Sequence, residues 1–197
     1  KNIKKNSWTF AFYDELLKIN NKISFICWAQ NVAIILCLAK IFKIQMQKII
    51  PIIENLSPIR GRGELLEIKT KNHTFSLIDE SYNSNPESLT QAIKNLKNYK
   101  SIKTRTICVI GDMLELGSMS EDLHIKMLKV LLENEPDITI TLGDCSKTIF
   151  ERLPNNFTKF HYDNHESVLK KLLGIIQNKD VIMIKGSNST KLHLVAD

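Results

Sequence analysis

Neither a G-x-x-x-x-G-K-[ST] loop nor a G-x-G-x-x-G turn occurs in the 197 residues, which leaves them without a recognisable way to cradle a triphosphate unaided. Ser-His-Asp and Cys-His nucleophile signatures are missing as well. Cysteine is sparse. Cys27, Cys37, Cys108 and Cys145 lie far apart and mostly in apolar runs, so they suggest neither a zinc cluster nor a disulfide framework, and reduced thiols in a cytosol fit best. His161 and His165 are four residues apart, but Asp163 between them reads as a helix cap, which argues against a shared helical face and a metal pair. A basic stripe is absent too. The net charge of +6 comes from scattered lysines among many Asn and Ile residues, a compositional bias and not a nucleic-acid footprint. Residues 23–42 approach the roughly 20 apolar residues of a membrane span, yet Gln30, Asn31 and Lys40 break the run and nothing upstream resembles a signal peptide. A buried helix preceded by a strand is expected there, and no span. The first residue is Lys1 and not Met, which suggests a fragment, a processed chain or a truncated reading frame.

What is present is an ordinary globular composition, 43% hydrophobic and 24% charged, enough for one good core and a smaller piece. The most informative stretch is FSLIDESYNSNP, Phe75 to Pro86. Phe75, Leu77 and Ile78 read as a strand that delivers Asp79 and Glu80 to its carboxyl end, and a polar loop then closes on Pro86. Asn85 suits a helix N-cap and Pro86 the first turn, where a missing N–H costs nothing. In open α/β sheets ligands bind beyond the strand ends, which makes the loop a site candidate; the alternative is a capped turn with solvated acids.

Residues 1–25 read as a β-hairpin with Asn20-Asn21 between its arms. From Trp28 to Phe42, Ala29, Val32, Ala33, Leu36 and Lys40 fall at helical spacing. A second helix is expected over Gln45–Asn55, its apolar face formed by Met46, Ile49, Ile50 and Ile53, with Pro51 kinking it or shifting its boundary. Residues 57–63, SPIRGRG, read as a flexible, exposed linker and the domain boundary. Beyond it, strands are expected at Leu65–Lys69, His73–Ile78, Thr106–Ile110, Asp137–Leu142, Lys159–Tyr162 and Val181–Ile184. Helices are expected at Glu87–Tyr99, after a Ser118–Glu121 capping box with Leu123, Met127, Val130 and Leu131 inward, at Ser146–Arg152, after an Asp163–Glu166 capping pair with Val168, Leu169, Leu172, Leu173 and Ile176 buried, and at Thr190–Ala196. Such alternation implies a Rossmann-like, doubly wound, mainly parallel sheet. Its polar strand ends, Asp79-Glu80-Ser81, Gly111-Asp112, Gly143-Asp144 and Lys185-Gly186-Ser187, then gather along one edge as a single crevice. Lys185 there reaches a phosphate or carboxylate, or else caps its strand in water.

Four motifs, in this order and spacing, resemble the Mur ligase family: GRGE at Gly61–Glu64, LIDESYNSNPES at Leu77–Ser88, GDMLELG at Gly111–Gly117 followed by Ser120, Glu121 and His124, and IKGSNS at Ile184–Ser189. The resemblance implies a carboxy-terminal ligase domain over residues 61–197, preceded in residues 1–60 by the mostly helical tail of a central ATP-binding domain without its P-loop. It further implies cytoplasmic peptidoglycan precursor synthesis. ATP and Mg2+ activate the terminal carboxylate of UDP-N-acetylmuramoyl-tripeptide as an acyl phosphate, which the amine of D-alanyl-D-alanine attacks. By the same resemblance Asn31, Arg62 and Glu80 lie on the nucleotide side, and Tyr82, Asn83, Asn85, Asp112, Lys185 and Ser187 position the dipeptide. Cys27 stands where the family usually has histidine, and Asn188 where an arginine is common. The missing amino-terminal and central ligase domains would be the partners, and the chain alone should neither hydrolyse ATP nor ligate. Other readings are another ligase of the superfamily such as a folylpolyglutamate synthase, a non-catalytic remnant that at most binds a nucleotide or a partner chain, and a basic nucleic-acid-binding module.

Overall fold

The computed structural model describes residues 6–12, 15–21 and 26–197, and the chain divides into two compact units, Lys1–Pro58 and Ile59–Asp197. In the first unit β1 (Asn6–Phe12) and β2 (Glu15–Asn21) form an antiparallel hairpin that pairs Trp8 with Ile19 and Phe10 with Leu17. A hairpin forms within the expected span, but not with the expected arms: Asn20 pairs with Ser7, the two strands are joined through residues 13–14, and the stretch expected as the second arm, 22–25, lies outside the described residues. The alternation of aromatic residues in β1 decides this, because pairing Phe10 with Leu17 sets the register of the whole hairpin.

Helix α1 (Ile26–Ile41) buries Val32, Leu36 and Ala39, while α2 (Met46–Glu54) buries Ile53 and packs Met46, Ile49 and Ile50 beside it. Pro51 does not shift the bounds of α2. It lies on the exposed side, where the carbonyl left without its donor can bond water. The expectation of a buried α1 holds only for one stripe, since Ile34, Ile35, Leu38 and Ile41 are exposed. No helix among the described residues is long and apolar enough to cross a membrane.

The second unit is a six-stranded sheet in the order β3-β4-β8-β5-β6-β7. Its strands are β3 (Glu64–Lys69), β4 (Thr74–Glu80), β5 (Thr106–Gly111), β6 (Ile138–Leu142), β7 (Lys159–Tyr162) and β8 (Val181–Lys185). Only the β3–β4 pair is antiparallel. Strands β5, β6 and β8 are buried along their whole length, as strands covered on both faces are. Ile107, Val109, Ile140, Ile182 and Ile184 share one core with Val168 and Leu172 of α6 (His165–Ile175) and Val195 of α7 (His193–Ala196). The alternate residues Ile78, Cys108, Ile110 and Met183 are buried on the other face. There α3 (Pro86–Lys97), bearing Leu89, Ala92, Ile93 and Leu96, packs on β5 and β8 and against α4 (Ser120–Asn134), which packs on α5 (Asp144–Arg152). Burial pushes the Cys108 thiol well above its ordinary range.

Four local expectations change. The glycines of GRG are not a loose linker: Gly61 and Gly63 are buried at φ 76° and 86°, and Gly63 N–H donates to the Asp79 carbonyl at 2.8 Å. Helix α4 opens from a 3-10 turn, Gly117–Met119, without a side-chain cap, and its buried face carries His124, Met127, Leu131 and Asn134. Helix α6 is capped by Asn164, whose side chain accepts from Ser167 N–H at 2.9 Å, and not by Asp163; only Val168 and Leu172 are buried, with Leu173 exposed. The closing helix shortens to a 3-10 turn, Asn188–Thr190, and the four residues of α7.

Candidate functional site

Parallel pairing brings the carboxyl ends of β4, β8, β5, β6 and β7 to one edge, and the antiparallel β3 begins there. The chain turns outward in opposite directions between β5 and β8, so Gly111, Asp112 and Lys185-Gly186-Ser187 sit at the switch point of the sheet. Glycine is required where the two loops meet: a Cβ on Gly186 would lie 2.8 Å from Thr190 Oγ1 and 3.1 Å from the Gly111 Cα.

Lys185 is 3% exposed. Its Nζ donates to Glu80 Oε2 at 3.1 Å and to the Asn83 carbonyl at 3.0 Å. Two of its three ammonium N–H donors are thus engaged within the chain, so it is not a solvated strand cap. The pair follows from register, since Glu80 and Lys185 are direct neighbours on β4 and β8. The Asn83 side chain turns to Ser84 N–H at 2.8 Å. Asn85 caps α3 by accepting from Ser88 N–H at 2.8 Å, with Ser88 Oγ returning to Asn85 N–H, as the sequence led one to expect.

Asp112 serves the next connection. Its Oδ1 accepts from Ser146 N–H at 2.7 Å and its Oδ2 from Cys145 N–H at 3.2 Å, which caps the amino end of α5. The carboxylate fits because residue 143 is glycine at φ 106°; a Cβ there would lie 2.5 Å from Asp112 Oδ2. Ser187 joins the two loops: its N–H donates to the Asp112 carbonyl at 3.0 Å, and its Oγ accepts from Leu114 N–H at 2.9 Å. Arg62 and Tyr82 form a separate pair in which the guanidinium lies 4.2 Å from the ring centroid, both side chains exposed. A cleft of ≈ 250 Å³ beside them is lined by Arg60, Gly61, Asp79, Ser81, Tyr82, Asn188, His193 and Asp197. Asn31 belongs to the first unit and is exposed on α1.

Two residues that the sequence names within longer motifs but gives no role of their own shape this edge. Asp79 is buried, and its Oδ2 accepts from Gly61 N–H at 3.0 Å while Oδ1 accepts from Ser81 N–H and Oγ at 3.1 and 2.6 Å. Alternation along β4 was the available signal, since it turns Asp79 to the face opposite Glu80. His124 is 0% exposed. Its Nε2 accepts from Met113 N–H at 3.0 Å, so Nδ1 carries the proton and donates to the Ser120 carbonyl at 2.7 Å. The GDMLELG loop is thus held by His124 on one side and Ser187 on the other.

An open α/β sheet whose switch-point loops are tied together around a polar rim defines a domain of the doubly wound class, in which ligands bind beyond the strand ends. The comparisons make this specific. The family model described as Mur ligase, glutamate ligase domain, matches residues 61–188, and the chain belongs to the Mur ligase family. Its curated relatives include the UDP-N-acetylmuramoyl-tripeptide–D-alanyl-D-alanine ligase of Rickettsia prowazekii, 30% identical over 138 residues, covering 70% of this chain and 29% of the relative. The ligase of the same name from Bacillus subtilis is 28% identical over 143 residues, covering 71% and 31%. The matched region is thus under a third of each relative's length. Among solved structures, MurF from Acinetobacter baumannii superposes with TM-score 0.80 at 22% identity, covering 98% of this chain and 42% of that one. MurF ligase from Thermotoga maritima in complex with ADP superposes with TM-score 0.77 at 20% identity, covering 98% and 44%. These likenesses show that the fold is shared.

Proposed function

We propose that this chain is the carboxy-terminal part of an ATP-dependent ligase that adds D-alanyl-D-alanine to UDP-N-acetylmuramoyl-tripeptide in cytoplasmic peptidoglycan precursor synthesis. The observation that carries the reading is the family match over residues 61–188, joined to curated relatives that bear that ligase's name. Residues 1–60 are then the tail of the central ATP-binding domain and residues 61–197 the ligase domain.

On the nucleotide side, the exposed guanidinium of Arg62, preset on the Tyr82 ring, fits an anionic ligand. Asn31 is the further nucleotide contact, and Glu80 acts there through its pair with Lys185. ATP supplies the activating phosphoryl group, and Mg2+ is held mainly by residues outside these 197. On the dipeptide side, Tyr82 and Asn83 are exposed and able to touch a substrate. Asn85, Asp112, Lys185 and Ser187 position the rim by holding its loops.

Without a P-loop the 197 residues by themselves should release no ADP when given ATP, the tripeptide precursor and D-alanyl-D-alanine. A chimera that carries residues 61–197 in place of the carboxy-terminal domain of the Bacillus subtilis ligase should release ADP in proportion to added dipeptide. Turnover by the chain alone refutes the inactivity, and a folded chimera that stays silent refutes the ligase reading.

A further inference from the structure

A groove of ≈ 310 Å³ opens at the edge of the sheet opposite the polar rim. It lies where the parallel strands begin: Thr74 starts β4, Thr104 precedes β5 and Lys179 precedes β8. Its volume sits at the lower end of the roughly 300–1,000 Å³ usual for small-molecule sites. The partly buried side chains of Ser76, Tyr99 and Thr104 line it, and among the described residues none of their hydroxyl groups has a hydrogen-bond partner. Lys179 supplies a cation. Its backbone is held at φ 70° with the N–H on the Thr74 carbonyl at 2.8 Å, while Thr74 N–H donates to Asn178 Oδ1 at 2.8 Å. Its ammonium group has no ion pair among the described residues. Glu67, the acid in the lining, lies 3.6 Å from Lys69. The groove thus offers three hydroxyl donors and one uncompensated positive charge. A phosphodiester, with a single negative charge, matches that better than a phosphate monoester, which approaches two.

Beside the groove stands an apolar point. Thr104 N–H donates to the Ser101 carbonyl at 3.1 Å and Ser101 N–H to the Thr104 carbonyl at 3.3 Å, which closes a tight turn with Ile102 and Lys103 at its apex. Ile102 is fully exposed. Lys97 donates to the Glu133 carbonyl, and Lys100 is taken by the Glu135 carbonyl and Asp137. Lys103, and Lys71 in the β3–β4 turn at the same edge, are exposed and without a partner among the described residues.

We propose that this edge docks on a membrane surface: the groove takes the phosphodiester headgroup of an anionic phospholipid, Ile102 enters the interface, and Lys71 and Lys103 face the negatively charged lipid. An apolar side chain held out between cations gains by leaving water for the boundary between headgroups and acyl chains. A nucleic-acid backbone would use the lysines and leave Ile102 in water. A free phosphate would use the groove alone. A lipid surface uses the groove, the apolar point and the lysines together. The attachment is reversible, since one apolar residue and three lysines fall well short of a stable anchor. It is independent of the ligase reading, which the chimera tests apart.

Flotation of the 197-residue chain with lipid vesicles tests this. The chain should rise with vesicles of equal parts phosphatidylglycerol and phosphatidylcholine, stay behind with pure phosphatidylcholine, and be released from the anionic vesicles by raised salt. Ile102→Asp should weaken the association about tenfold, and Lys103→Gln and Lys179→Gln about fivefold each. All three side chains are exposed, so the circular dichroism of the variants should match that of the wild type. Failure to float with the anionic vesicles overturns the proposal, as does flotation that Ile102→Asp and Lys179→Gln both leave unchanged. Amide shifts at residues 74–76, 99, 104 and 179 with inorganic phosphate, in the absence of flotation, would assign the groove to a free anion. Retention on heparin without flotation, undiminished in Ile102→Asp, would assign the lysines to a nucleic acid. Either result overturns the membrane surface.

Discussion

At the scale of single residues, the edge of the sheet uses its charges to hold itself together before it can hold a ligand. Lys185 illustrates the balance. A buried ammonium group is costly unless paired, and breaking such a pair costs about 3–5 kcal/mol, whereas replacing both partners by apolar groups of similar volume is often neutral. Glu80 retains a little exposure, 16% of its side chain, so the lower end of that range applies. Lys185→Ala should therefore lower stability by about 3 kcal/mol, and Lys185→Met combined with Glu80→Leu should recover most of it. Urea unfolding of the three chains checks this, and a double variant as unstable as the single one would mean that the Asn83 carbonyl, not Glu80, is the partner that matters. Asp79, Asp112 and His124 follow the same logic. Each gives its polar atoms to backbone groups of the rim, which fixes Gly61, the start of α5 and the GDMLELG loop.

At the scale of elements, the second unit is also tied at the opposite edge of the sheet. Arg105 grips Asp180 with two hydrogen bonds, 3.0 and 2.7 Å, and reaches the Ile175 carbonyl at 2.8 Å, which joins β5, β8 and the end of α6. Asp137, just before β6, accepts from Thr106 N–H and Oγ1 at 2.8 and 2.9 Å and pairs with Lys100 at 3.4 Å. Partial burial pushes its pKa up, but the two Thr106 hydrogen bonds and the Lys100 charge outweigh that and hold the carboxyl below its ordinary value. A depressed pKa contributes stability that is full above the unfolded value, about 3.9, and is lost as pH falls through the folded one. The stability advantage of wild type over Asp137→Asn should therefore shrink as pH drops from about 5 toward 2, well below the unfolded pKa. Urea midpoints measured across that range decide it, and a constant difference would assign the effect to lost hydrogen bonding alone. Most of these elements were legible beforehand because periodicity and the Asn85-Pro86 start are local signals. The misassigned helix starts had a different cause. Ser118–Glu121 and Asp163–Glu166 match the capping pattern in sequence, but the 3-10 turn before α4 and the neighbouring Asn164 take over the role. In sequence His124 reads only as part of a motif, because an apolar pattern assigns the inner face to Leu123 and Val130, whereas the buried face keeps Met127 and Leu131 and adds His124 and Asn134.

At the scale of the whole molecule, the two units differ in how completely they cover their apolar residues. In the second, three strands are buried from end to end, between a core shared with α6 and α7 on one face and α3 on the other. In the first, the described core consists of Ile19, Val32, Leu36 and Ile53 with half-buried neighbours, and Ile34, Ile35, Leu38 and Ile41 stay exposed along α1. In sequence the dense apolar run at residues 23–42 reads as a buried helix, and only burial shows that a single stripe of it is covered. Autonomous folding is marginal near about 60 residues even with a good core. Residues 59–197 expressed alone should accordingly unfold in one cooperative transition with a urea midpoint close to that of the parallel-sheet signal in the full chain. Residues 1–58 alone should show no cooperative transition. Circular dichroism and intrinsic fluorescence report the two units separately, since both tryptophans, Trp8 and Trp28, lie in the first. A sharp fluorescence transition in residues 1–58, or a non-cooperative melt of residues 59–197, would show that burial within each unit does not govern its stability.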